Sequence, residues 1–119
     1  KAHMSRSVGT WGEAQVANYL RKNRYRLVAH SYHCRFGEID LIAMDGKTLC
    51  FVEVKTRSNL SMGLPREYVN AAKQERIRKT ALFYLSEKEL DCPMRFDVAE
   101  VYQSGSGALE RIEYIKNAF

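Results

Sequence analysis

Two short apolar runs in this chain carry charge where charge is costly. The first is Gly37-Glu38-Ile39-Asp40-Leu41-Ile42 and the second is Phe51-Val52-Glu53-Val54-Lys55. Both have the Ile, Leu, Val and Phe content of strands, and Asp45-Gly46-Lys47 between them has the chemistry of a hairpin turn. Side chains alternate faces along a strand, so Glu53 and Lys55 share one face while Val52 and Val54 take the other. Asp40 is expected on the face of Glu38 and Ile42, opposite Ile39 and Leu41. An acid of one strand then meets an acid and a lysine of the next. Charges inside such runs are expensive to bury unless they are paired or bound to a metal.

The chain has 119 residues, 45% of them apolar, enough for one domain with one sheet and a few helices. The opening Lys1-Ala2-His3-Met4 reads as a cloning remnant with Met4 as the native start, so residues 5–119 are expected to form the domain. No apolar run approaches the ~18 residues of a membrane span and no signal-peptide pattern opens the chain, so no membrane partner is expected. Cys34, Cys50 and Cys92 are odd in number and lack Cys-x-x-Cys spacing, which argues for a reducing, cytoplasmic setting. Cys50 falls in a strand pattern and is expected to pack as a small apolar residue. His30, His33 and Cys34 are near enough in sequence for zinc, but they lie on an extended segment with no second ligand pair. A polar lead-in to a strand is the preferred reading.

The formal charge of +5 is unevenly distributed. Arg21, Lys22, Arg24 and Arg26 form one basic cluster, and Lys73, Arg76, Arg78 and Lys79 another. Such clusters are the usual footprint of a phosphate-backbone partner, with a solvated helix face as the competing explanation.

Helical spacing of Val16, Ala17 and Leu20 predicts a helix from about Gly9 to Lys22, with Glu13 on the same stripe. A strand is expected over Tyr25 to Ala29, followed by the two charged strands. Arg57 to Pro65 reads as a loop. A second helix is expected over Arg66 to Ser86, with Ile77, Ala81, Tyr84 and Leu85 inward, then strands over Phe96 to Tyr102 and Arg111 to Ile115. This order of one helix, three strands, one helix and two strands predicts an α/β fold, a central mixed β-sheet flanked by α-helices.

Two carboxylates held within a few ångströms repel, and a hard divalent ion such as Mg²⁺ (or Mn²⁺) resolves the repulsion while keeping several waters. Asp40 and Glu53 are the candidate ligands, and the carbonyl of Val54 can add another. The ion acidifies water and stabilises charge on a scissile phosphate, and Lys55 can orient the attacking water or neutralise the transition state. The competing view of Glu53 and Lys55 is a same-face surface ion pair. Their apolar company argues against it, because an unpartnered pair there would be expensive. Glu13 has two readings. Thr10-x-x-Glu13 fits a capping box, whereas its place on the apolar stripe turns it toward the sheet and its acids. Gln74, three residues before Ile77, either faces solvent or touches the same pocket. Arg35 either approaches a phosphate or flanks its strand, and Asp97 reads as a structural partner of Arg95.

These residues also resemble a family. Gly9-x-x-Gly12-Glu13-x-x-Ala, Cys34-Arg35-Phe36-Gly37-Glu38-Ile39-Asp40-Leu41-Ile42, Phe51-Val52-Glu53-Val54-Lys55-Thr56-Arg57, Gly63-x-Pro65 with Val69-Asn70 and Lys73, Arg95-Phe96-Asp97-Val98 and Ile115-Lys116-Asn117-Ala118-Phe119 are similar to the YraN-like family of small bacterial proteins. The likeness runs from about Ser7 to Phe119. That family in turn resembles archaeal Holliday-junction resolvases and the PD-(D/E)xK nucleases. The resemblance implies a restriction-endonuclease-like core, with Asp40 and Glu53 as metal-binding acids, Lys55 as the lysine and Glu13 as the helix-borne acid. Gln74 matches a helical polar residue of some branches only loosely. Two departures stand out: Ser31 lies where the family often has asparagine, and Ile39 replaces the proline that names the superfamily.

The sequence therefore sets up a cytoplasmic, Mg²⁺-dependent DNA endonuclease as the expectation, with branched or structured DNA as the favoured substrate and a homodimer left open. Glu13, Asp40, Glu53 and Lys55 are its candidate catalytic residues, and Arg35, Arg57, Lys73, Gln74 and Arg76 its candidate nucleic-acid contacts. The alternative is a nucleic-acid-binding module that cleaves nothing and acts within a DNA repair or uptake complex. A third reading is an interaction domain whose acids are ion-paired.

Overall fold

The computed structural model describes residues 7–58 and 69–119. Its elements are α1 (Ser7–Lys22), β1 (Arg26–Cys34), β2 (Gly37–Asp45), β3 (Thr48–Ser58), α2 (Ala71–Lys88), β4 (Met94–Gln103) and β5 (Leu109–Ile115). The order is the one the periodicities predict. The residues read as a cloning remnant lie outside the described residues.

The five strands make one sheet in chain order, β1-β2-β3-β4-β5. β3 and β4 are parallel, joined through α2, and the other neighbours are antiparallel. A parallel pair needs such a crossover, whereas β2 and β3 need only the tight turn at Gly46, whose φ is 62°. The sheet is therefore mixed, with a helix against each face. α1 buries Val16 and Leu20 against Leu41, Ala43, Cys50, Val52, Ala99 and Val101. α2 buries Ile77, Ala81 and Tyr84 against Ile42, Leu49, Phe51, Phe96 and Val98. Each buried Val, Leu, Ile or Phe among them contributes about 1.5–3 kcal/mol by leaving water. Cys50 is fully buried, as its small apolar role requires.

Strict alternation on β3 sends Leu49 and Phe51 to the α2 side and Cys50 and Val52 to the α1 side. Glu53 and Lys55 continue the α2 face. On β2 the alternation fails. Ile39 and Ile42 both join the α2-side cluster although three residues separate them. The expectation that Ile39 stands opposite Ile42 is thus corrected: β2 is irregular between them, at Asp40.

Element boundaries also differ from the sequence reading, most at three places. β1 runs on to Cys34, because its polar second half pairs with the start of β2, His33 opposite Glu38. Arg57 and Ser58 belong to β3 rather than to a loop, and the rest of that expected loop lies outside the described residues. α2 begins at Ala71, not Arg66, because the Asn70 side chain accepts the Lys73 N–H at 2.9 Å and caps the helix. Residues 66–68 are outside the described set.

The pairing of Arg95 with Asp97 is structural, as expected. Asp97 is fully buried. It accepts from Arg95 Nε at 3.0 and 3.1 Å, from the Tyr114 hydroxyl at 2.6 Å and from the Asn117 N–H at 3.0 Å. Arg95 also donates to Asp45 and Tyr25. A buried ion pair is tolerable only when its other polar positions are satisfied in this way.

Candidate active site

Asp40 stands where β2 and β3 part. The last paired residues of that ladder are Leu41 and Val52, and beyond them the Asp40 carboxylate takes over the sheet's work by accepting the Val54 N–H at 2.8 Å. The irregularity has a counterpart on β1. The pairs His30–Leu41 and Tyr32–Ile39 leave Ser31 opposite Asp40, and Ser31 has a left-handed φ of 47°. Its hydroxyl donates to Glu13 at 3.4 Å.

Glu13 is therefore turned toward the sheet. The capping-box alternative fails, since α1 starts at Ser7 and Thr10 already lies within the helix. What brings the acid in is Gly12: a Cβ there would overlap Thr56 Oγ1 and press on Val54. Only a glycine lets α1 lie this close to β3.

Burial pushes the Asp40 carboxyl up to about 7, assisted by the negative charges of Glu53 and Glu13 and opposed by the Val54 N–H. Glu53 and Glu13 thus both act electrostatically on Asp40. Lys73, from the first turn of α2, bonds Glu53 Oε2 at 2.5 Å. Glu53 is 8% exposed by side chain and Lys73 40%. This ion pair was not legible from sequence, where Lys73 reads as a phosphate contact. Lys55 lies on the same β3 face as Glu53, half-buried, with Glu100 beside it on β4.

Among the described residues no three His, Cys, Asp or Glu side chains form a ready metal cluster. The donor set is instead that of a hard ion that keeps waters: two mutually repelling carboxylates, Asp40 and Glu53, the Val54 carbonyl between Glu53 and Lys55, and Glu13 nearby. Asp40 is half-buried with its affinity for protons raised, and Glu53 is balanced by Lys73. The residues present fit a divalent cation.

The other candidates are dispersed. Arg57 pairs with Glu100 at 3.4 Å. Gln74 donates to the Val69 carbonyl at 2.8 Å and lines a cavity with Glu100, so it is not an ordinary solvent-facing glutamine. Arg35 is exposed and lies over the rings of Phe36 and Phe83, at 4.9 and 5.8 Å, at the β1–β2 turn. Arg76 is exposed on α2. Sequence reasoning missed Ser31 as the neighbour of Asp40 and Glu13, and it missed Glu100. The signal for Glu100 was an acid sharing strand parity with Phe96 and Val98.

The comparisons with known proteins agree with the motifs. The profile described as "Uncharacterised protein family UPF0102" matches residues 12–101, a span that holds Glu13, Asp40, Glu53, Lys55 and Lys73. A UPF0102 protein of Geotalea uraniireducens is 46% identical over 97% of this chain and 91% of its own length. One of Alkaliphilus metalliredigens is 46% identical over 98% of this chain and all of its own length. One of Syntrophus aciditrophicus reaches 50% over 93% of this chain and 87% of its own length. Near-complete coverage at these identities means that the chain belongs to the UPF0102 family, the YraN-like family its motifs resemble.

Proposed function

We propose that this protein is a divalent-metal-dependent DNA endonuclease that hydrolyses phosphodiester bonds, with branched or structured DNA as its favoured substrate. The observation that carries the reading is the Asp40 carboxylate held by the Val54 N–H at 2.8 Å where β2 and β3 part, next to the strand that bears Glu53 and Lys55, with burial and the neighbouring acids raising its carboxyl. Asp40, Glu53 and the Val54 carbonyl would hold Mg²⁺ or Mn²⁺, with Glu13 next to them. When bound, the ion supplies Lewis-acid stabilisation of the phosphate and lowers the pKa of water. Lys55 orients the attacking water and balances charge that develops on the phosphate. Ser31 and Gly12 position Glu13, and the Val54 N–H fixes the Asp40 carboxylate. DNA reaches the site along basic surface that includes Arg35 and Arg76, by phosphate contacts that carry no sequence information. The free cysteines fit a cytoplasmic setting.

A second reading, a nucleic-acid-binding module within a repair or uptake complex, is favoured by one observation. Lys73 already neutralises Glu53, as it would in a site that never takes up metal. Incubation of the protein with linear, flapped and four-way DNA, with Mg²⁺ or with chelator, separates the two. Metal-dependent cutting is the expected result. Binding without cutting of any of the three substrates would favour the module.

A further inference from the structure

Two phenylalanines stand apart from both cores. Phe36, at the turn between β1 and β2, and Phe83, on α2, are partly exposed and belong to neither hydrophobic cluster. Their rings meet edge-to-face with centres 5.8 Å apart. The turn is held against the helix. The Phe36 N–H donates to Cys34 Sγ at 3.4 Å, and a Cβ on Gly37 would stand 3.1 Å from Thr80 Oγ1 and 3.7 Å from Arg76 Cβ. Arg35 lies over both rings, at 4.9 and 5.8 Å, with its own side chain exposed. An aromatic pair kept at the surface adds to neither core, and such apolar surface marks an interaction site.

The pair lies at the end of a basic track that starts at the acids. Along α2, Lys73 bonds Glu53, Arg76 follows one turn later beside Gly37, and Lys79 comes one turn before Phe83. Arg76 and Lys79 are exposed. Along β2, Gly37 precedes Asp40 by a span of ~10 Å at ~3.3 Å per residue. That is about three nucleotides at the ~3.4 Å rise of a stacked strand. The acids at this end are placed differently. Glu38 is in register with His33, Glu87 accepts from the Tyr32 hydroxyl at 2.9 Å beyond Phe83, and Glu75 is about 100° round α2 from Arg76. We propose that Phe36 and Phe83 form a stacking platform for an unpaired base about three nucleotides from the bond that is cut, a proposal that rests on reading the acids as a phosphodiester site. The protein then recognises a branch by its unpaired strand.

The chemistry of the surface favours this occupant. Arg35, Arg76 and Lys79 around an aromatic pair suit an anionic chain that carries flat apolar faces. Every base has such a face, so the platform reads no sequence. A base inside a duplex has its faces covered by its neighbours and does not reach the rings, whereas an unpaired base does. The contact of Arg35 with the rings is exposed and therefore weak. The base takes its place on Phe36, and the guanidinium turns to the phosphate of the same nucleotide.

The test is binding of a flapped and a blunt DNA duplex in Ca²⁺ by wild type, Phe36→Leu and Arg35→Gln. Phe36→Leu keeps an apolar side chain and removes the ring. It should weaken binding of the flapped DNA by at least about fivefold and leave the blunt duplex within about twofold. That loss should persist at every salt concentration, whereas Arg35→Gln should lower the salt slope by about one. With the wild-type protein, 2-aminopurine placed in the flap near the branch should change its fluorescence on binding, and the same base in the duplex arm should not. Equal losses on the two DNAs, a Phe36→Leu protein that binds as wild type, or unchanged flap fluorescence would overturn the proposal and leave the rings as a surface for a protein partner. Cleavage in Mg²⁺ is assayed in parallel. Flap-selective binding that Phe36→Leu removes, without cleavage by wild type, would retain the platform and remove the nuclease reading. Cleavage by wild type with no effect of Phe36→Leu on binding would do the reverse.

Discussion

Asp40 and Lys73 hold the site's charge in balance from two sides, one by keeping a proton and the other by supplying a positive group. The Asp40 carboxyl is raised from the ordinary value of 3.8 to about 7. Its protonated form is therefore favoured in the folded protein, and the stability this provides is present below about pH 4 and lost as pH rises through about 7. Asp40→Asn should accordingly raise Tm at pH 8 by at least about 4 °C and change it little at pH 4, as thermal unfolding at both values would reveal. Equal shifts at the two pH values would mean that Asp40 is not perturbed. Lys73 bonds Glu53, where the proposed cation would sit. Lys73→Gln should tighten Mn²⁺ binding by about tenfold, measured by calorimetry, because the ion no longer competes with an ammonium. Weaker binding would show that Lys73 supports the metal site instead. Much of this residue-level picture was legible, because two acids in apolar strands joined by a tight turn are confined to a few places. The Lys73–Glu53 pair was not, since the start of α2 decides where Lys73 points. Nor was the exchange of strict alternation for an irregularity at Asp40 and Ser31, which depends on tertiary contact with α1.

The helices owe their positions to two small residues. Gly12 lets α1 approach β3, and Gly12→Ala should destabilise the protein by about 1–3 kcal/mol as overpacking against Thr56. Thr56→Ala in the same chain should recover most of that loss, because it removes the overlapping hydroxyl. A denaturant-unfolding cycle of the four proteins measures the coupling, and additive effects would place the strain elsewhere. Asn70 does for α2 what Gly12 does for α1: its cap on the Lys73 N–H sets the first turn from which Lys73 and Gln74 project. Helix and strand types were readable from period alone. The expected start of α2 was five residues early because helical spacing carries no mark of its own end, while the asparagine three residues before Lys73 does. β1 was drawn too short because Ser31, Tyr32 and His33 lack an apolar alternation, and they are extended through pairing with β2.

At the scale of the whole molecule, the mixed order of the sheet sets the acids beside the parallel β3–β4 pair, under the start of α2. The α/β class followed from the order of elements. The register of β3 on β4 did not, because parallel strands separated by a helix carry no turn that fixes it. That is why Glu100 beside Lys55 went unseen. The net charge of +5 predicts DNA affinity that falls steeply with salt, by about a thousandfold between 50 and 200 mM if six phosphates are engaged. A flat salt profile would reduce the basic clusters to ordinary solvated surface. Lys55 is one of nineteen basic residues, so its loss should change this attraction little. The central claim, that Asp40, Glu53 and Lys55 form a phosphodiester-cleaving site, is tested most directly by single-turnover cleavage in Mg²⁺ by wild type and Lys55→Ala, with binding of the same DNA measured in Ca²⁺. The account predicts cleavage lower by at least about a hundredfold and binding within about twofold. Equal cleavage by the two proteins would contradict it.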